Sequence, residues 1–345
     1  MPNQMTIDSG PSFVAPGVAI SGKIPTECIS WRWHGNLGDD MIFAAQEALF
    51  QDSLALGQYI TFPKAVLVGG GTFVPKALHH PDLVALSRRY PTGFFGTGIG
   101  DPIFWGTTHI PDWLEVMRNS NFIGVRGPLS KERLEEWGVP ADRVEWIGDP
   151  ALYFAQPTSA RPFGFNLAVN LGITYNRLYG FDEARLEETV ISALQDLVRA
   201  GWNITLVCAW GADDPVAERI AARVAVLSIE HWHENYQRAL DSVAQFDVLL
   251  CEKLHVGVVA ACRGVPFVAL NYRSKVRDFC RSIGWEDFCV GLEDLTPDRL
   301  STLVNSLIQT RDQHSIRLQK NVLETRARLV AAARRAEAAL AGAGG

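Results

Sequence analysis

The chain has 345 residues, 47% of them hydrophobic and 20% charged, with a formal net charge of −6. That composition supports a large core and excludes wholesale disorder, and the length suits about two domains of roughly 150 residues each. The negative balance argues against a nucleic-acid partner, which selects for a basic face, but leaves room for a local basic pocket.

In chain order, the N-terminal MPNQMTIDSGPSF lacks a basic segment followed by an apolar one, so no signal peptide is expected. No apolar run reaches the roughly 18 residues of a membrane span. CISWRW (28–33) predicts a strand, and the apolar run 41–50 a helix. KAVLV (64–68) reads as a buried parallel strand running into Gly69-Gly70-Gly71, and TGFFGTGI (92–99) repeats that pattern. NFIGVR (121–126) predicts a strand, LSKERLEEW (129–137) an amphipathic helix, and VEWI (144–147) a strand running into Gly148-Asp149-Pro150. AQPTSARPFG (155–164), with two prolines among small polar residues, is the candidate linker.

A second alternating series follows. Strands are expected at 166–171, 203–209, 246–251 and 265–270, and helices at 182–200, 215–226, 236–244 and 255–262, before a long Arg/Ala/Glu-rich helix and a frayed AGAGG end. Two βα series joined by a linker predict two α/β domains with mostly parallel sheets: an N-terminal domain over 1–158, a second over 165–325, and a helix and tail over 326–345. Ligands of such sheets bind beyond the carboxyl ends of the strands, so a cleft between the two domains is the expected active site.

Several stretches fall at those ends. GNLGDD (35–40) opens a helix. Asn36 and the aspartates suit a cap, and Gly38 permits close approach of the backbone to a ligand. Asp39 suits a sugar hydroxyl or general-base chemistry better than a phosphate. GGGT, with Gly70 and Gly71, and GTGIG, with Gly98, would let a ligand touch the backbone; tight turning explains them equally well, and neither carries a Walker lysine or a GxGxxG pattern. Arg126 ends a strand and offers a planar fork for carboxylate or phosphate, while Ser130 either caps the following helix or bonds a ligand oxygen. His255 follows Lys253-Leu254 at the start of a helix of small residues, where the helix dipole should lower its pKa and a bound anion should raise it. Lys275 follows the next strand at the same sheet edge. The six cysteines form no CxxC pair and join no histidine at zinc-ligand spacing, so no metal is expected, and a reducing cytoplasm fits them.

The order GNLGD, GGG, GxG, RxxxS, GDPA, KLH with GVP, and YxxK, spread over roughly 34–280, resembles the polysaccharide pyruvyl transferase family. The resemblance implies a GT-B-like fold, two Rossmann-like domains facing a central cleft. It implies transfer of the enolpyruvyl unit of phosphoenolpyruvate to a sugar, forming a pyruvate ketal, without a cofactor. Carried over by motif, Arg126, His255 and Lys275 would hold or activate phosphoenolpyruvate, and Arg126 and His255 must then share one cavity. The family motif usually begins with Arg where this chain has Lys253, which keeps the charge and loses the fork. A lipid-linked acceptor would bring the enzyme to the inner face of a membrane, with the arginine-rich last helix as a candidate contact. The competing expectations are a nucleotide-sugar glycosyltransferase of the same shape, using Glu230, Glu234 or Asp241, and a non-catalytic saccharide-binding protein.

Overall fold

The structure, a computed structural model, describes residues 22–31, 34–72, 74–76, 82–158, 164–172, 182–293 and 295–342. The N-terminal stretch, the middle of the expected linker (159–163) and residues 343–345 lie outside these.

Two six-stranded sheets form the framework. The first contains β1 (Ile24–Ile29), β2 (Leu54–Gly57), β3 (Ala65–Gly69), β4 (Thr92–Thr97), β5 (Phe122–Val125) and β6 (Glu145–Trp146), ordered β2-β1-β3-β4-β5-β6. The second contains β7 (Asn166–Asn170), β8 (Asn203–Cys208), β9 (Ser228–His231), β10 (Val248–Cys251), β11 (Phe267–Asn271) and β12 (Cys289–Gly291), ordered β12-β11-β10-β7-β8-β9. All pairings within both sheets are parallel. Helices covering both faces of such sheets leave the inner strands dry, which is why AVLVG and TGFFGT are buried at every position.

In each sheet the chain reverses its direction of strand addition once, between β1 and β3 and between β7 and β10. These switch points open a crevice at the carboxyl ends of the strands. Both crevices face the same interdomain space, because the backbone N–H of Leu37 donates to Ala209 O at 3.0 Å and Asn36 bridges Trp210. Deeper in the interface, Ser130 Oγ donates to Asp278 Oδ2 at 2.6 Å, and Asp278 Oδ1 accepts from Leu129 N at 2.9 Å.

Two sequence expectations are corrected. The strand expected at 28–33 begins and ends earlier, at Ile24–Ile29. Its apolar rhythm is hidden by Glu27, a buried carboxylate that accepts the backbone N–H groups of Tyr59 (2.8 Å) and Ile60 (2.7 Å). The terminal helix runs Arg311–Ala341, so a boundary at 326 falls inside it. Leu318 and Val322 of this helix pack into the second domain's core, whereas Leu329, Ala332, Ala333, Ala336 and Leu340 pack with Leu67, Phe95 and Phe122 of the first. The helix thus returns across the interface and ties the two domains together.

Candidate active site

The interdomain cleft has a volume of about 250 Å³. From the first domain come Trp31 beyond β1, Asn36, Gly38 and Asp39 at the start of helix Leu37–Leu49, Gly71, Thr72 and Lys76 beyond β3, Trp105, and Arg126 beyond β5. From the second come Ala209 and Trp210 beyond β8, Lys253, Leu254 and His255 beyond β10, and Arg273 and Lys275 beyond β11. Among the described residues, five basic side chains and one acid, Asp39, therefore face this space in a chain of net charge −6.

Behind Arg126 and His255 lies Asp149, fully buried, whose one signal in the sequence is its place in the GDPA motif. Its Oδ1 caps the 3-10 turn Pro150–Phe154 by accepting from Ala151 N at 3.0 Å. Its Oδ2 lies 3.0 Å from Arg126 Nε and 3.6 Å from His255 Nε2. These are close ion pairs and not aligned hydrogen bonds: none of the three atoms has a well-directed partner among the described residues. Burial alone would raise the Asp149 pKa, but Arg126 and then His255 outweigh it, so the group is held below the ordinary carboxylate range.

Burial lowers the His255 pKa, Asp149 pulls it back in part, and Arg126 and Lys275 push it down further. The pKa is lowered, then, with desolvation as the largest cause and the neighbouring cations behind it. The imidazole lies against Gly38: a Cβ there would fall 1.9 Å from His255 Nδ1. GNLGDD therefore caps the helix and also makes room for the imidazole. Asn36 caps the helix, accepting from Gly38 N at 3.0 Å, and Gly38 admits the histidine.

Arg126 lines the cleft but is 1% exposed, and its fork is already engaged. One terminal nitrogen donates to Thr72 Oγ1 at 2.7 Å and the other to Gly70 O. In this structure its three nitrogens all face protein partners, so it brings a positive charge to the wall with no free fork. Ser130, Gly70 and Gly98 stand behind the wall and do not reach the cleft, contrary to expectation. Ser130 is 1% exposed and spends its hydroxyl on Asp278 and on Ile99 N, which donates to it at 3.0 Å. A Cβ on Gly98 would lie 2.7 Å from Thr72 Oγ1, so that glycine makes room for the Thr72–Arg126 contact.

Lys253 Nζ is 3.5 Å from Asp213 Oδ1 and 5.3 Å from the Trp210 ring centre. The Lys275 pKa falls well below the usual lysine range, through burial first and then repulsion from Arg273, Lys253 and Arg126. Asp39 moves the other way: burial lifts it, against the pull of Lys275, to about 7. Two further cations were not foreseen from the sequence. Lys76 lies 4.6 Å from the Trp31 ring centre, and the Arg273 guanidinium lies 3.4 Å from that of Phe104. Arg273 had a signal, its place beside Lys275 in YRSK; Lys76, from a loop, and Trp105, from the end of the short helix Pro102–Trp105, had none. Glu230, Glu234 and Asp241 do not line the cleft, and Glu230 accepts from Trp232 Nε1 (2.8 Å) and Gln245 Nε2 (3.0 Å).

Two Rossmann-like domains facing a charged cleft define a GT-B-like α/β protein. Solved structures agree on the fold. Anabaena HepE in complex with UDP-glucose matches with TM-score 0.58 and 12% identity, over 92% of this chain and 100% of that one. A putative UDP-N-acetylglucosamine 2-epimerase from Listeria monocytogenes matches with TM-score 0.56 and 11% identity, over 86% of this chain and 91% of that one. The UDP-GlcNAc 2-epimerase of Neisseria meningitidis, bound to UDP-GlcNAc, matches with TM-score 0.53 and 10% identity, over 88% and 99%. A search of curated protein sequences returns no match. The family model "Polysaccharide pyruvyl transferase" matches residues 36–274, and the chain belongs to that family. Among the described residues, no helix is long and apolar enough to cross a membrane.

Proposed function

We propose that the protein transfers the enolpyruvyl unit of phosphoenolpyruvate to saccharide hydroxyls and closes a pyruvate ketal. The observation that carries this reading is the concentration of Lys76, Arg126, Lys253, Arg273 and Lys275 around His255 in one cleft of an acidic chain. A small donor bearing both phosphate and carboxylate needs such a field, and in a partly desolvated site it acts strongly.

In this reading Asp149 holds His255 through Nε2, leaving Nδ1, on the Gly38 side, for chemistry. Donor binding raises the lowered His255 pKa, and the imidazolium gives its Nδ1 proton to the methylene carbon of the enol. C2 becomes electrophilic, an acceptor oxygen bonds to it, and that hydroxyl's proton passes to Asp39. A pKa of about 7 suits Asp39 to accept a proton and release it again at neutral pH. The C2–O bond to phosphate then breaks, and the Asp39 proton leaves with the phosphate. A second hydroxyl bonds to the C2 so freed, closes the ketal and returns its proton to His255. The scheme uses no metal or cofactor. Trp31, Trp105 and Trp210 supply aromatic faces for the acceptor sugar. A cytoplasmic location belongs to the same reading, at the inner membrane face for a lipid-linked acceptor.

The test offers phosphoenolpyruvate, UDP-sugars or GDP-sugars with a panel of saccharide acceptors and follows released phosphate or nucleotide. Acceptor-dependent phosphate release that disappears in His255→Ala supports the proposal. Nucleotide release without use of phosphoenolpyruvate would instead identify a glycosyltransferase.

A further inference from the structure

Outside the cleft, at the carboxyl ends of β8 and β9, three side chains from within one stretch of the second domain converge, with His233 beside them. Ligand atoms of Cys208, Asp214 and His231 all lie within 4.8 Å of one another. Asp214 Oδ1 is 3.2 Å from His231 Nδ1 and 3.6 Å from His233 Nε2. His233 Nε2 is buried and has no aligned hydrogen-bond partner. We propose that Cys208, Asp214 and His231 form a binding site for a zinc-class divalent ion, with His233 beside the carboxylate.

The donor set points to the kind of ion. One sulfur, one imidazole nitrogen and one carboxylate oxygen select zinc or a similar transition metal over magnesium or calcium, which take oxygen. The spacing agrees. Metal–ligand bonds of about 2.0–2.3 Å in a tetrahedron set ligand–ligand separations near 3.3–3.8 Å. The Asp214–His231 separation of 3.2 Å falls just below that range, so one ion can bridge the pair with small side-chain rotations. The site is also accessible: Cys208 is fully buried, while the His231 side chain is 41% exposed, giving a route from solvent to a sulfur at the back. Without an ion, burial and then Asp214 keep Cys208 firmly a thiol. An ion reverses that preference, and the thiol proton goes to solvent on binding.

The site has a structural consequence. Cys208 and Asp214 are the two ends of the segment whose middle, Ala209 and Trp210, forms one wall of the cleft. That segment also receives the Leu37 N–H and bridges Asn36. An ion at its base would pin the wall that meets the first domain. This holds whatever reaction the cleft performs.

Cobalt(II) titration of the full chain, freed of metal by a chelator, tests the proposal. The expected result is a thiolate-to-cobalt charge-transfer band in the near ultraviolet, with strong visible bands of tetrahedral cobalt, all removed by added zinc. Cys208→Ser and His231→Ala should each remove the charge-transfer band or weaken cobalt binding by about tenfold or more. Cys289→Ser, a thiol elsewhere in the second domain, should not. His231 is peripheral, so its variant decides the question even if Cys208→Ser fails to fold. Absence of the band in the unaltered chain, or a band unchanged in either ligand variant, overturns the proposal.

Discussion

Asp39→Asn offers a quantitative test of the cleft's electrostatics. The Asp39 carboxyl moves from an ordinary value of 3.8 to about 7 on folding, with burial as the largest cause and Lys275 as the main opposing charge. At about 1.4 kcal/mol per pKa unit, roughly three units make the ionised form about 4 kcal/mol less favourable in the folded chain. Because the folded pKa is raised, the folded state binds the extra proton. Below about pH 4 both states are protonated and nothing is lost. Stability then falls as pH rises from about 4 to about 7, and the full penalty applies above that. Asparagine has no such penalty. The melting temperature of Asp39→Asn should therefore approach that of the unaltered chain near the acid end and exceed it by an increasing margin up to about pH 8. Since Asp39 is partly accessible in the cleft, 4 kcal/mol is an upper bound. The same variant should lose acceptor-dependent phosphate release. A stability gap that stays constant with pH, or favours the aspartate at high pH, would refute both the raised pKa and the role of Asp39 as a proton carrier near neutrality.

Gly38→Ala should reduce kcat far more than it alters the KM for phosphoenolpyruvate, because the added methyl would overlap the His255 ring and must turn it; steady-state kinetics separate the two. Arg126→Ala should not leave the fold intact, as a ligand-only role would allow: it strands the buried Asp149 carboxylate at a cost of about 3–5 kcal/mol, measurable by denaturation. Adding Asp149→Asn should recover part of that loss. Ser130→Ala should destabilise the chain by about 1–3 kcal/mol, since Ile99 N and Asp278 lose a buried partner, while donor affinity by calorimetry changes little.

The inner strands were legible because burial on both faces demands unbroken apolar runs, and VLV, FFG and VLLC have them. Three of the four edge strands, all but β6, escaped for the converse reason. LALG, SIEH and CVG are short and half-exposed, with no run to detect. β1 was displaced because its apolar signal includes the buried Glu27, whose partners on the 59–60 loop are a tertiary fact.

The site divides along the same physical line. Asn36, Gly38, Asp39, Gly71, Arg126, Lys253, His255 and Lys275 all line the cleft, and each lies just beyond a strand or at the start of a helix, where parallel sheets present their ligand-facing residues. What local sequence could not convey was which of these groups would already be occupied. Arg126 and His255 each look like a donor aimed at a substrate, yet both converge on one oxygen of Asp149. A buried carboxylate between two cationic groups turns one of them, Arg126, into framework. It leaves the other, His255, held by one nitrogen and available at the second. Gly38 and His255 make the same point across the interface: one domain supplies the imidazole and the other the missing side chain that gives it space. Neither domain alone has a complete site, so the helix that crosses back to the first sheet is part of the catalytic apparatus in a mechanical sense. Substitutions that loosen its Leu329–Leu340 packing should depress turnover without touching the cleft.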